Sequence, residues 1–171
     1  MSGRGTADFK SPVRHLTLRK ATIADSEFAF QTKKAALGRY IEQVWGWDEE
    51  EQRRLHEDRF ARRGYRVIRS KDTDAGILVS ERLPDCVRVY QLFLLPEHQG
   101  KGIGTECMER ILAEAAGPGL PVRLDVLRVN QQALRFYRSL GFRSVGGTET
   151  HIRMERSGGK RGAPTRRGRL T

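Results

Sequence analysis

The chain has few residues that hold metals or cross-links: two cysteines, Cys86 and Cys107, and four histidines. No spacing among them matches a metal-ligand set, so no metal site is expected and both cysteines read as free thiols. No stretch approaches the roughly 18 consecutive apolar residues of a membrane span. The polar opening MSGRGTADFK lacks the apolar core of a secretory signal, so a cytoplasmic protein with no membrane partner is expected. The string G-x-x-x-x-G-K-[ST] is missing, and no early G-x-G-x-x-G is followed by a suitably placed acid. Those absences remove the two familiar nucleotide-phosphate loops.

What is present is ordinary for one globular domain: 171 residues, 37% hydrophobic and 31% charged. The net charge of +11 is concentrated at the ends. Residues 157–171 carry Lys160, Arg161, Arg166, Arg167 and Arg169 with no acid, and residues 1–14 add a net +2. A Gly/Pro/Arg-rich end with almost nothing apolar cannot offset the entropy of ordering. The expected organisation is a flexible arm over 1–14, a folded domain over 15–156 and a disordered basic tail over 157–171. That tail reads as solubilising, with weak RNA or acidic-surface binding as the alternative.

His15–Arg19 has strand alternation, and Thr22–Asp25 has capping-box spacing before a helix carrying Phe28, Thr32, Ala35, Ala36, Tyr40, Ile41 and Val44. Gly38 weakens that helix, and Trp45-Gly46-Trp47 ends it. Asp48 and Glu51 then repeat the box for a charged helix through about Phe60. From Tyr65 the period changes to three β-branched and aromatic runs, 65–68, 75–80 and 87–94, expected as an antiparallel meander. After a helix ending at Gly117-Pro118-Gly119, Val122–Leu127 resumes strand character, and the crossover makes it parallel to the preceding strand. Asn130 caps another helix, and a hairpin turning at Gly146-Gly147 closes the chain.

Gln99-Gly100-Lys101-Gly102-Ile103-Gly104-Thr105 lies between the apolar run Leu92–Leu95 and the helical pattern Met108, Ile111, Leu112, Ala115. Glycines let backbone approach an anion, and a helix start offers unpaired N–H groups with a positive dipole end. Alone, such a loop is also compatible with a tight turn. A second motif, Asn130-Gln131-Gln132-Ala133-Leu134-Arg135-Phe136-Tyr137-Arg138-Ser139-Leu140-Gly141-Phe142, begins 30 residues after Gly100.

Together these motifs resemble the GCN5-related N-acetyltransferase (GNAT) superfamily, through Q-x-x-G-x-G and N-x-x-A-x-x-F-Y-x-x-x-G-F in that order. The resemblance implies an α/β fold: a twisted, mostly antiparallel sheet of about six to seven strands with one splayed parallel pair, flanked by about four helices. It also implies acetyl-CoA as acetyl donor. Leu92, Phe93 and Leu94 would pair with its pantetheine arm, and Gln99, Gly100, Lys101, Gly102, Ile103, Gly104 and Thr105 would hold its pyrophosphate. Asn130, Ala133 and Phe136 would meet the thiol end. Gly100 departs from the long side chain common at that position, with Lys101 as a substitute cation. Asn130 also reads as a plain helix cap, and Phe136 as core packing.

The resemblance implies direct transfer to a primary amine in a ternary complex. Tyr137 matches the general acid toward the CoA sulfur, and Asp125 the position of a base, one methylene shorter than the family's glutamate. Glu97 and His98 are weaker candidates, and the oxyanion donor is placed at a backbone N–H near Leu94. Tyr137 also reads as a core aromatic, and Asp125 as an amine-binding or solvent-facing carboxylate. Tyr40, Glu42, Trp45, Trp47 and Asp48 fall where the acceptor would sit, either to attract a cationic amine or to pack. The expected partner is an amine-bearing small molecule, peptide or protein, with the chain a monomer or homodimer. A non-catalytic acyl-CoA sensor and a tail-anchored nucleic-acid or ribosome-associated protein are the alternatives.

Overall fold

The computed structural model describes residues 16–158. The expected arm over 1–14 lies outside the described residues, as does all but the first part of the expected tail. Seven strands form one sheet: β1 (Leu16–Lys20), β2 (Tyr65–Ser70), β3 (Thr73–Arg82), β4 (Val87–Leu94), β5 (Val122–Leu127), β6 (Arg143–Gly147) and β7 (His151–Arg156). Their spatial order is β1-β2-β3-β4-β5-β7-β6, and only β4 and β5 run parallel. Four helices flank it: α1 (Ser26–Trp45), α2 (Glu49–Arg62), α3 (Ile103–Ala116) and α4 (Gln131–Ser139). This is the mixed sheet with one parallel pair that the two motifs implied.

Local signals explain where the helices begin. Thr22 N–H donates to Asp25 Oδ2 at 2.8 Å, closing a 3-10 turn from which α1 continues. Arg19 at the end of β1 forks onto the same carboxylate, 2.8 Å to each oxygen, which fixes the entry of α1 against the sheet. Gly38 does not interrupt α1; it is buried where the helix passes the Trp47 ring. Asp48 Oδ1 accepts from Glu51 N–H at 2.9 Å and caps α2.

Alternation along β3 separates the two faces of the sheet. Leu78 joins the main core with Ile103, Met108 and Ile111 of α3 and Leu134 and Tyr137 of α4. Its neighbours Ile77 and Val79 meet Ala29 and Tyr65 in a smaller cluster flanked by Phe28 and Phe60. Helices α1 and α2 therefore cover one face, and α3 with α4 packs from the other.

The decisive irregularity is in β4. Val79 pairs with Gln91 but Ser80 pairs with Val89, so Tyr90 is an extra residue, a β-bulge. The bulge resets the alternation: Val87 and Val89 before it, and Leu92 and Leu94 after it, all pack toward α3. A bulged strand bends, and the parallel ladder stops at the same point, with only Val87–Val122 and Arg88–Arg123 paired. The free edge was expected at Leu92–Leu94; it opens earlier, from Val89.

The closing hairpin forms, but not around Gly146-Gly147. Those glycines lie within β6, across from Arg153 and Ile152, and the chain reverses at Thr148–Thr150. The threonine supplies the reason. Thr148 N–H donates to His151 O at 2.9 Å while its hydroxyl accepts from His151 N–H at 3.1 Å, closing the turn without glycine.

Candidate active site

Where β4 and β5 part, a cleft of about 880 Å³ opens between the β4–α3 loop and α4 on one side and α1 and α2 on the other. Its floor is the unpaired edge of β4. Leu95 N–H donates to Ala75 O of β3 at 2.9 Å, and the carbonyl of that peptide unit points the opposite way. Leu94 C=O thus faces the opening, where Gln99 Nε2 donates to it at 3.0 Å.

The loop after β4 is shaped as an anion cradle. Gly100 and Gly102 adopt φ of 70° and 80°, a left-handed backbone that glycine takes without steric cost. The first N–H of this region to find a carbonyl is that of Glu106, which donates to Gly102 O at 3.1 Å. From Gly100 through Thr105, no backbone N–H has a protein acceptor among the described residues. Such a run at the positive end of a helix is suited to a diphosphate.

The N-terminus of α4 enters from the other wall. Asn130 Oδ1 accepts from Ala133 N–H at 3.0 Å, so its cap role is realised while it also lines the cleft. Ala133, Phe136 and Tyr137 line it too. Tyr137 is 8% exposed and stacks edge-on against Phe136 and Phe142. No group among the described residues hydrogen-bonds its hydroxyl, and burial alone pushes its pKa well above that of an ordinary phenol.

Asp125 lies on β5 just beyond the last ladder pair, turned to the arm face. Its Oδ2 accepts from Arg88 Nη2, and its Oδ1 accepts from Arg153 Nε at 3.3 Å, Arg153 being its register partner on β7. Both oxygens are engaged, so direct proton acceptance requires one guanidinium to move or a water to intervene.

The cleft brings together Leu92, Phe93, Leu94, Gln99, Gly100, Gly102, Gly104, Thr105, Asp125, Asn130, Ala133, Phe136 and Tyr137. The side chains of Lys101 and Ile103 do not join them. Lys101 is exposed, and Ile103, 3% exposed, anchors α3 in the core, so only their backbone N–H groups belong to the cradle. The residues of the arm also divide. Tyr40 lines the cleft, while Asp48 caps α2, Trp47 packs near Phe30 and donates to Glu49 Oε2 at 2.8 Å, and Trp45, 57% exposed, lies beside His151. Both cysteines are free and buried, and burial lifts the Cys107 thiol to about 11, which suits packing rather than nucleophilic attack.

Several cleft residues escaped the sequence reading, Lys33 among them. Lys33 on α1 is 3% exposed and its Nζ donates to Gln52 Oε1 at 2.8 Å. Burial, reinforced by Arg59, lowers its pKa to about 8. Because the folded value lies below the ordinary 10.5, the protonated side chain costs stability below pH 8, and that cost is relieved as pH rises from about 8 to 10.5. Lys33→Met should stabilise the domain at pH 7 by about 1–3 kcal/mol. Urea melts at pH 7 and pH 10 should show a stability rise in the parent that is lost in the variant.

Comparison with known proteins agrees with this geometry. The model of the acetyltransferase (GNAT) family matches residues 30–142. Over 65 residues the chain is 43% identical to an uncharacterized N-acetyltransferase of Mycobacterium tuberculosis, covering 37% of this chain and 41% of the relative. The chain thus spans less than half the length of that relative. A 100-residue stretch is 30% identical to the tRNA(Met) cytidine acetyltransferase TmcA of Nitrosococcus halophilus, covering 58% of this chain and 13% of that one. Among solved structures, the PaiA N-acetyltransferase of Thermoplasma acidophilum in complex with coenzyme A superposes with a TM-score of 0.68 at 18% identity, covering 83% of this chain and 98% of that one. The ribosomal-protein-S18-alanine N-acetyltransferase of Escherichia coli gives 0.61 at 18%, over 87% and 97% of the two chains. With a family match running from α1 through α4 and a sheet that splays at a bulge, the chain belongs to the acetyltransferase (GNAT) family.

Proposed function

We propose that this chain is an N-acetyltransferase that carries the acetyl group of acetyl-CoA directly to a primary amine. The observation that carries the reading is the run of unpartnered N–H groups from Gly100 through Thr105, at one end of an open strand edge and facing the capped start of α4. A diphosphate suits the cradle, and an amide-bearing arm suits the edge, where it can pair as an added strand. Acetyl-CoA supplies the activated acetyl group as a thioester.

The chain's own groups then divide the work. An alkyl ammonium with a pKa near 10.4 must lose a proton before attack. Asp125, fixed at the apex by Arg88 and Arg153, accepts it through a water. An N–H on the open edge of β4 stabilises the oxyanion, and Tyr137, kept protonated by burial, gives its proton to the departing thiolate. The buried cysteines are not needed as nucleophiles.

The test is calorimetric binding of acetyl-CoA, followed by release of free CoA across an amine panel with mass detection of acetylated product. Binding without amine-dependent release across the panel would leave a sensor instead of an enzyme. For Asp125→Asn, kcat should fall about 100-fold with acetyl-CoA affinity unchanged. Unchanged kcat dismisses Asp125 as the proton acceptor.

A further inference from the structure

The acceptor half of the cleft has the wrong charge for a simple cationic amine. Its charged lining comprises Lys33, Arg39, Arg59, Arg63, Arg88 and Arg153 against a single carboxylate, Asp125, already held by two of those arginines. Arg59 has no carboxylate partner among the described residues. Arg63, four residues further along the same helical arm, lies with its guanidinium carbon 3.5 Å from the centre of the Tyr90 ring and touches only the exposed Glu81, at 3.3 Å. Lys33 supplies an independent indication: an ammonium 3% exposed, bonded to the neutral Gln52 and near Arg59, with no acid to balance it. Gln91, next to the bulge, lines the same wall at 8% exposure with Oε1 unpaired.

Buried charges are normally paired. Lys33 is such a charge with no acid beside it among the described residues, and the exposed Arg59 and Arg63 add two more cations to the same wall, of which only Arg63 has a carboxylate, Glu81, nearby; the wall as a whole favours an anionic ligand. The donor's phosphates do not answer the need. Arg88, which marks this end, precedes Leu94 by six residues of strand, about 20 Å at roughly 3.3 Å per residue, and the cradle lies beyond Leu94. The volume, about 880 Å³, must hold the donor's arm together with the acceptor, which favours a small molecule.

Resting on the acetyltransferase reading above, we infer that the acceptor is a small amine that also carries an oxyanion, a carboxylate or a phosphate-type group, which Lys33, Arg59 and Arg63 bind while the amine faces the Asp125 apex. The cations draw the anion in, and the bulge residue Tyr90, beneath Arg63, sets the depth at which it stops.

The experiment compares matched amines by kcat/KM with saturating acetyl-CoA: β-alanine and γ-aminobutyrate, 2-aminoethylphosphonate, the neutral 3-aminopropanamide and propylamine, and the cationic putrescine. At least one anionic class should exceed its neutral counterparts tenfold or more, and whether carboxylates or the phosphonate lead tells which oxyanion is recognised. The preference should shrink with added salt and fall at least fivefold in the Arg59→Gln/Arg63→Gln variant, while acetyl-CoA affinity stays the same. Equal or better turnover of propylamine or putrescine overturns the inference and leaves the enzyme reading intact, as does acetyl-CoA binding with no anionic member acetylated. Failure to bind acetyl-CoA sinks both.

Discussion

Tyr137→Phe should lower kcat by about 100-fold or more, the usual worth of a positioned proton donor, without changing acetyl-CoA affinity or fold. The hydroxyl has no hydrogen-bond partner among the described residues, so its removal orphans nothing, and the ring keeps its contacts with Phe136 and Phe142. Denaturant midpoints of the two proteins should therefore agree closely. Burial raises the Tyr137 pKa, so the neutral donor persists above the pH where a free phenol ionises, near 10. Sign follows from that direction: the folded state holds this proton more tightly, and stability linked to it is present below pH 10 and lost as pH rises further. In steady-state assays between pH 6 and 9.5, no alkaline loss of rate should trace to Tyr137. An unchanged kcat in the phenylalanine variant would remove the tyrosine from the mechanism.

The second large effect is structural and lies outside the cleft. Gly76→Ala should destabilise the domain by about 3 kcal/mol or more, in the range reserved for severe backbone and packing conflicts. A Cβ there would stand 2.2 Å from Phe93 O and 3.0 Å from Leu94 Cα, both backbone atoms of the adjacent strand. Neither can yield without moving the part of β4 that forms the open edge. Urea unfolding should show a lower midpoint with an unchanged slope. Acetyl-CoA binding should weaken in the variant under conditions where it is still folded. A midpoint within error of the parent would mean that β3 and β4 separate more easily than their pairing indicates.

Much of this was legible in sequence. The capping box at Thr22, the cap at Asp48, the meander from Tyr65 and the two motifs each act through near neighbours, so local chemistry announces them. Tyr90 was harder. The run Val87-x-Val89-x-x-Leu92-x-Leu94 carries the bulge as one added position between apolar pairs, but aromatic Tyr90 masks the slip because it suits either face of a strand. The hairpin glycines misled for a related reason: Gly-Gly favours turns, whereas the hydroxyl of Thr148 did the closing. Lys33 was invisible because a lysine in an amphipathic helix reads as solvated. Only the docking of α2 across α1 buries it, and no spacing within α1 reports that event. The arginine pair on Asp125 likewise joins three strands distant in sequence.

The two apolar clusters on opposite faces of the sheet are of unequal size, and that inequality divides the protein's tolerance of substitution. The donor half rests on the continuous core around Met108, Ile111 and Leu134, where most substitutions carry a packing cost. The arm is moored by Ala29, Tyr65, Ile77 and Val79 with a handful of partners. Substitutions in α1 and α2 should therefore cost the fold less than substitutions around α3 and α4.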